Sequence, residues 1–384
     1  MKTSDFKTKT IIEARNFPRP EGHWPLGLDI GYSAVKGMAP NKVFCFPAYA
    51  REIPQNREIL KTADDSDIRY LDEDGMWSVG ALAYDELYAK TADDSDEELY
   101  GRKRYYSKMF KVISLTGIAI GLMANAFGSP RHKKISIQGG LPAKYDADGE
   151  LVRDVLSGTH RFEIQLGKGQ WQKFEFTVSG NDIYFMAQPL GALLSASIDK
   201  NGKQLPTASR YFRQNLIIFD PGFGTLDEYT VTRGQVTDTG TYPELAMKEV
   251  FRRTCRDIKN QYNYEITIPE LQNHLETGTI KVVDRKQMKS KKYSIEDILD
   301  KNRIGVCRDA IEKMKSIHDY FSKCDCIIAT GGTYDAWADE FKETFKDMED
   351  LMIVPANIND TSLSNVFSIV RGYYFFLVNQ LKRN

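Results

Sequence analysis

Two stretches of the 384-residue chain set an Asp and closely spaced glycines at the end of an apolar run. One is Gly27-Leu-Asp29-Ile-Gly31-Tyr32-Ser33-Ala-Val-Lys36; the other is Leu216-Ile-Ile-Phe-Asp220-Pro221-Gly222-Phe223-Gly224-Thr225-Leu-Asp227. Glycine permits positive φ and close backbone approach, and successive free N–H groups at a hairpin tip make a concavity that attracts anions. A carboxylate there repels phosphate unless a cation stands between them. Hydrated Mg²⁺ does so, because it keeps waters and takes few carboxylates plus phosphate oxygens. Either stretch alone also reads as an ordinary glycine-tight turn with an exposed Asp. Two of them facing across a cleft could clamp a polyphosphate from both sides, with Lys36 as a point charge on its oxygens. A third turn, Ile327-Ile-Ala-Thr330-Gly331-Gly332, lies between an apolar strand and a helix, where a nucleoside or α-phosphate can approach a helix N-terminus. None of the three is a P-loop or a dinucleotide-binding glycine turn.

The elements that must position these turns are strands alternating with helices, the pattern of α/β layers. Strands are expected at about 26–30 and 216–231, hairpin strands across 162–186, and helices at 108–127, 188–198, 243–264 and 294–322. An amphipathic helix is expected to close the chain at about 362–381. Residues 1–25 read as a flexible or extended leader, broken by Pro18, Pro20 and Pro25. Residues 51–107 are acidic and Tyr-rich, with KTADDSD at 61–67 and again at 90–96. That near-repeat reads as two solvated acidic turns or as a duplicated contact loop. Composition is that of a globular protein, 41% hydrophobic and 27% charged, with net charge -1, which gives no bulk electrostatic drive toward nucleic acid. The five cysteines form no metal or disulfide array and read as free thiols in a reducing compartment. His132, His160, His274 and His318 lack ligand spacing. The start of the chain shows no signal peptide, and 112–127 is too short and too rich in small residues for a membrane span. A cytoplasmic location is expected.

The three turns, taken in order, resemble the phosphate 1, phosphate 2 and adenosine motifs of the actin, sugar-kinase and heat-shock-chaperone ATPase superfamily. Gln188-Pro-Leu-Gly-Ala resembles the start of its first inter-domain helix, and 362–381, with Arg371-Gly372, its second. Within the superfamily the chain is most similar to the bacterial actin-like, ParM-type plasmid-segregation proteins. Two departures stand out. Pro221 removes a backbone donor from the second turn. Residue 188 is Gln where many relatives have Glu, so it orients water and cannot act as a base.

The resemblance implies an α/β actin-like fold: two domains hinged around a central nucleotide cleft, with smaller inserted outer subdomains. Domain I would be 26–187 plus 355–384, with 51–107 as a variable insertion; domain II would be 188–354, with an outer subdomain at about 250–320. It implies ATP and Mg²⁺ as cofactors, with GTP the other candidate nucleotide. Asp29 and Asp220 would hold the metal, largely through water. Gly31, Tyr32, Ser33, Lys36, Gly222, Phe223, Gly224, Thr225, Lys248, Gly331 and Gly332 would bind nucleotide. Gln188 would position the attacking water, with Asp220 and Asp227 polarising it. Open alternatives are a helix cap for Gln188, a strand-surface charge for Asp227, and a solvated helix face for Lys248 and Glu249. The implied function is an ATPase that forms head-to-tail filaments and segregates plasmid DNA through a DNA-bound adaptor, without touching nucleic acid or membrane itself. A small-molecule kinase and a non-hydrolysing nucleotide-bound scaffold of the same superfamily are the other readings. The segments expected to carry filament contacts are acidic 51–107 and basic 260–295, the latter with Lys281, Arg285, Lys286, Lys289, Lys291 and Lys292.

Overall fold

A computed structural model describes residues 2–54, 63–85, 102–142, 147–284 and 286–383. The chain opens with strands β1 (Ile11–Ala14), β2 (His23–Ile30), β3 (Ala34–Ala39), β4 (Lys42–Pro47), β5 (Ala50–Ile53), β6 (Ile68–Asp72) and β7 (Gly75–Val79). Helices α1 (Ala81–Asp85) and α2 (Lys108–Leu122) follow, then β8 (Lys134–Leu141), α3 (Gly149–Leu156), β9 (Gly158–Leu166), β10 (Gln172–Val178), β11 (Ile183–Ala187) and α4 (Gln188–Ala196). Next come β12 (Asn215–Pro221), β13 (Leu226–Thr232), β14 (Gln235–Tyr242), α5 (Met247–Tyr262), α6 (Ile268–His274), β15 (Thr279–Asp284), β16 (Lys289–Ser294) and α7 (Glu296–Ile317). The chain ends with β17 (Cys326–Ala329), α8 (Gly331–Phe345), β18 (Met352–Pro355) and α9 (Ser368–Leu381).

Two large sheets carry the same plan. The first has the order β1-β4-β3-β2-β8-β11 and the second β14-β13-β12-β17-β18. In each, an antiparallel meander (β2-β3-β4 or β12-β13-β14) is continued by two parallel strands. The β2–β3 and β12–β13 hairpins therefore occupy equivalent places, which is how two similar turns far apart in sequence become partners. β4 is buried along its whole length, because helices cover both faces of its sheet.

Helices α4 and α9 stand between the large sheets, α4 packing on β12 and α9 on β2. They cross where a Cβ on Gly372 would lie 2.0 Å from the Gly191 carbonyl oxygen, so only glycine permits the approach. Arg371, fully buried, finishes α4: its Nη1 donates to Ser195 O at 2.7 Å and its Nη2 to Asp199 O at 2.6 Å, satisfying carbonyls the helix end leaves open. The amphipathic reading of the last helix is corrected here. Nearly every residue from Ser368 to Val378 is buried, since α9 is packed on several sides and has no broad solvent face.

Residues 1–25, read as a flexible or extended leader, are partly extended and built into the fold. β1 pairs antiparallel with β4, from Ile11 opposite Cys45 to Ala14 opposite Lys42, and Thr3 Oγ1 donates to Leu275 O at 2.7 Å. Strand β2 begins at His23, so Pro25 lies inside it. Helix α2 stops five residues before the expected 127. Lys42 Nζ donates to Ile120 O and Met123 O, and Asn41 Nδ2 to Met123 O at 2.9 Å, so side chains of the β3–β4 turn take the last carbonyls.

Two smaller units sit outside the large sheets. A five-stranded antiparallel sheet, β10-β9-β6-β7-β5, joins the β9–β10 hairpin at 158–178 to strands from the acidic stretch; the end of the expected 162–186 hairpin region, β11, belongs instead to the first large sheet. The first KTADDSD copy, where described, is a built turn: Asp67 is buried and its Oδ2 accepts from Asp64 N at 3.0 Å. The second copy, 90–96, lies outside the described residues. The other unit comprises α5, α6, the β15–β16 hairpin and α7, whose apolar core is continuous with β12, β17 and α8 of the second large sheet. Among the described residues no helix is long and apolar enough to cross a membrane.

Candidate functional site

The two hairpin turns are closed in the same way. Gly31 N donates to Ala34 O at 3.0 Å, and Gly222 N to Thr225 O at 2.8 Å. In both, a Cβ on the glycine would sit 2.9 Å from that carbonyl oxygen, so the tight turn demands glycine. The tips meet at Tyr32, whose ring occupies the space a Gly224 side chain would need, 2.3 Å from its Cβ position. Asp29, Gly31, Tyr32, Ser33, Lys36, Gln188, Gly222, Phe223, Gly224 and Thr225 border one cleft. The enclosed space is about 50 Å³, far below the roughly 300–1,000 Å³ of pockets that hold whole small ligands. In this conformation the hairpin tips nearly touch.

The acidic residues differ in environment. Asp29 is buried and sits opposite Lys36 in the β2–β3 register; Lys36 Nζ lies 3.3 Å from its Oδ2. Burial works against the Lys36 charge, but the carboxylates of Asp29 and Asp220 outweigh it and hold the ammonium above the usual lysine range. Asp220 is 3% exposed, and its Oδ2 has no hydrogen-bond partner. Burial and then the charge of Asp227 push its carboxyl well above the ordinary range, against the pull of Lys36 and of the Gln188 amide. Asp227, opposite Asp220 in the β12–β13 register, is 1% exposed. Its Oδ2 accepts from Thr225 Oγ1 at 2.8 Å and its Oδ1 from Thr241 Oγ1 at 2.6 Å. The strand-surface alternative for Asp227 is thereby removed.

Gln188 is the first residue of α4. The position before the helix is Ala187, with no side-chain cap, so the helix-cap alternative fails and the Gln188 amide faces the cleft. Gly331, at φ +86°, opens α8; a Cβ there would lie 3.6 Å from Asp220 Oδ1. Thr333 Oγ1 donates to Gly222 O at 3.3 Å, which ties α8 to the second turn. Gly331 and Gly332 thus adjoin the second hairpin but are not among the residues bordering the inter-hairpin space. Lys248 is not among them either; its backbone N–H donates to Phe223 O at 2.8 Å from the start of α5.

Sequence reasoning missed Arg104, Tyr105 and 140–142, which also border the cleft. Arg104 falls in a stretch treated as motif-free. The one available signal was a basic–aromatic run, Arg102-Lys-Arg104-Tyr105-Tyr106, just before a helix.

A divalent cation fits this donor set in one way. Among the described residues no group of three or more His, Cys, Asp or Glu side chains is placed to hold a metal. The unpartnered Asp220 oxygen is a buried acceptor whose charge Lys36 offsets only in part. Such a site suits a Mg²⁺ that takes most of its ligands from water and phosphate.

Two large sheets of the same plan, joined by crossed helices and each presenting an Asp–Gly hairpin to a shared cleft, define the actin-like fold. Residues 27–191 match the family model described as Actin like proteins N terminal domain. Among solved structures the chain is similar to a non-polymerisable quadruple mutant of pCBH ParM, at 18% identity and TM-score 0.69, over 94% of this chain and 100% of that one. It is similar to ParM of a 15-stranded filament from Clostridium botulinum, at 16% identity and TM-score 0.66, over 93% and 99%. It is also similar to Bacillus thuringiensis ParM with ATP, at 16% identity and TM-score 0.59, over 95% and 100%. No curated protein matches the chain in sequence.

Proposed function

We propose that the chain is a Mg²⁺-dependent ATPase that assembles head to tail into filaments and, in the cytoplasm, segregates plasmid DNA through a DNA-bound adaptor. The observation that carries the reading is the opposition of the two Asp–Gly turns, with Gln188 entering the same cleft from α4. The similar Clostridium botulinum ParM is a filament protein and the Bacillus thuringiensis one was solved with ATP; both likenesses support the reading. The domains would be 26–187 with 355–384, and 188–354, turning about the α4–α9 crossing.

In this reading the turn amides of Gly31, Ser33, Gly222, Gly224 and Thr225 cradle the phosphates. Asp29 and Asp220 would hold a hydrated Mg²⁺, which would supply charge neutralisation at the phosphates. Gln188 orients the attacking water by donating and accepting at one amide, and the carboxylates of Asp220 and Asp227 polarise it. Lys248, Gly331 and Gly332 lie toward the nucleoside. Nucleotide state shifts assembly only if it contacts the open and closed cleft differently, and the near-contact of Tyr32 with Gly224 gives the closed form.

Pelleting with ATP and Mg²⁺, run beside phosphate release without an acceptor, tests the proposal. The expected result is sedimenting polymer together with phosphate release. Binding without release marks a scaffold, and release that needs an added acceptor marks a kinase. Gln188→Ala is expected to slow hydrolysis roughly a hundred- to thousandfold, leaving assembly intact and filaments longer-lived. Wild-type phosphate release from that variant removes Gln188 from the chemistry.

A further inference from the structure

Strand β1 stands at the end of the order β1-β4-β3-β2-β8-β11, so among the described residues no strand pairs with its outer side. A sheet edge presents N–H and C=O groups that can template a further strand. The register tells which residues present them here. β1 pairs with β4 from Ile11 opposite Cys45 to Ala14 opposite Lys42. The same alignment, continued, sets Arg15 opposite Asn41, and Arg15 N donates to Asn41 O at 3.0 Å. Opposite residues that bond in this way alternate along an antiparallel pair. Ile11, Glu13 and Arg15 therefore turn their backbone groups toward β4, and Thr10, Ile12 and Ala14 turn theirs outward. Ile11 and Ile12 are 40% and 42% exposed, one on each face of the strand. Thr10, Ile11 and Ile12 are all β-branched, the type that packs well on a pleated surface.

The flanking charges single out the occupant. Lys9 and Glu13 are exposed and stand two residues either side of Ile11, on its face of the strand. A second copy of β1, run antiparallel with Ile11 opposite Ile11, sets each Lys9 opposite the other copy's Glu13 and each Thr10 opposite the other copy's Ile12. Opposite charges and β-branched neighbours in such positions stabilise a strand pair. The same register joins the outward groups of Thr10 and Ile12 as a hydrogen-bonded pair. Sliding by two residues puts Ile11 opposite Glu13 or Lys9, and sliding by one sets outward groups against inward ones. Lys7 and Arg15, which this register brings toward each other, have acceptors in their own chain: Glu276 Oε2 lies 3.6 Å from Lys7 Nζ, and Arg15 reaches Glu13 and Ser362 O.

We propose that β1 is a self-pairing edge: two copies of the chain join β1 to β1 about a twofold axis at Ile11, fusing their first large sheets into one. An isologous contact closes on itself, so it yields a pair, and between two head-to-tail filaments it ties them antiparallel. The paired run, 9–13, is far shorter than the roughly 20–30 residues a side of a stable interface. A lone pair of copies is therefore weakly held, and a covalent trap reads it.

The test is mild oxidation of the full chain without nucleotide, read as disulfide dimer on a non-reducing gel. It compares Ile11→Cys, Ile12→Cys and the wild type, whose own five cysteines give the background. Position 11 meets itself in a non-hydrogen-bonded pair, with Cα atoms about 4.5 Å apart, within the span of a disulfide. Position 12 faces Thr10 of the other copy, so two Ile12 sites lie beyond the roughly 7 Å that a disulfide can bridge. Ile11→Cys is expected to give at least about tenfold more dimer than Ile12→Cys, a margin that random collision does not produce. Adding Lys9→Glu should cut that yield about tenfold, and Lys9→Glu with Glu13→Lys should restore it. Adding Ile12→Pro should abolish it without lowering the melting temperature, because the amide it removes points outward and the β4 ladder stays whole. Equal yields at 11 and 12, no dimer above background at 11, or a yield indifferent to the charge changes would overturn the proposal. Should Ile11→Cys not fold, sedimentation of the wild type decides. A dimer at high concentration that Ile12→Pro dissociates upholds the pairing; a monomer throughout, or a dimer that Ile12→Pro leaves intact, overturns it.

Discussion

Asp220→Ala is expected to cut ATP hydrolysis at least tenfold, with a smaller loss of nucleotide affinity, while Asp220→Asn is expected to abolish the same activity without lowering the melting temperature. The two variants separate chemistry from folding. Asp220 is buried with an unpartnered oxygen, and burial and Asp227 raise its carboxyl well above the ordinary range. A carboxyl raised on folding favours the folded state only while it is protonated. That advantage is lost as pH rises through the ordinary carboxylate range toward the raised value, above which the fold carries a buried carboxylate that Lys36 offsets only in part. Asn keeps the shape and removes the charge, so its melting temperature without Mg²⁺ and nucleotide should equal or exceed that of the wild type. Function is the reason to retain such a group: a divalent cation with its waters would compensate it. Mg²⁺ with ATP should accordingly raise the wild-type melting temperature more than that of Asp220→Asn. Unchanged hydrolysis in either variant, or equal Mg²⁺-dependent stabilisation, removes Asp220 from the metal site.

The site was legible where backbone geometry dictates residue type. Gly31 and Gly222 are required by turns whose carbonyls leave no room for a Cβ, and an Asp two residues earlier is a local pattern that a reader can find twice. What the sequence does not print is which strands lie side by side. The outer sheet pairs β6 with β9 across some ninety residues, and its strands from the acidic stretch are four or five residues long, too short for a periodic signal. β1 is exposed at all four positions; with no buried face it shows no alternation, and so it read as leader. The last helix failed for the opposite reason, being buried nearly all round. Asp227 and Arg104 show the same limit at the site. Asp227 accepts a hydrogen bond from Thr241, which belongs to the next strand. Arg104 reaches Gly31 from 73 residues away. A residue whose role depends on a distant partner carries no local mark, whereas a turn glycine does.

Filament assembly is expected to weaken with salt, and reversing Lys289, Lys291 and Lys292 to Glu is expected to raise the critical concentration at least tenfold while leaving ATP binding near wild type. The β15–β16 hairpin is a lysine ribbon. Lys281 stands directly opposite Lys292, and Lys281, Lys286, Lys289, Lys291 and Lys292 are exposed; Arg285 lies outside the described residues. Like charges directly opposite on a strand pair are destabilising, so the ribbon holds its shape by other means. Ile280 is fully buried beneath it, and Tyr293 stacks on Tyr262 with centroids 4.2 Å apart. A charged surface on a firm base suits an acidic counterpart. The outer sheet of the same molecule presents exposed Asp64, Asp65, Glu73 and Asp74. Opposite charges on two different parts of one chain favour a head-to-tail contact, and such a contact, if it does not close, propagates as an open helix. Exposed charges are screened within about 8–10 Å at physiological ionic strength, so a contact of this kind must respond to salt. Charge reversal makes the Lys281–Lys292 pair attractive but sets a carboxylate at 289 opposite Asp284, so the two effects offset and the triple variant should melt near the wild type; that control separates loss of contact from loss of fold. Polymer yield that ignores salt, together with normal filaments from the reversed protein, would take the ribbon out of the interface and leave the nucleotide cleft untouched.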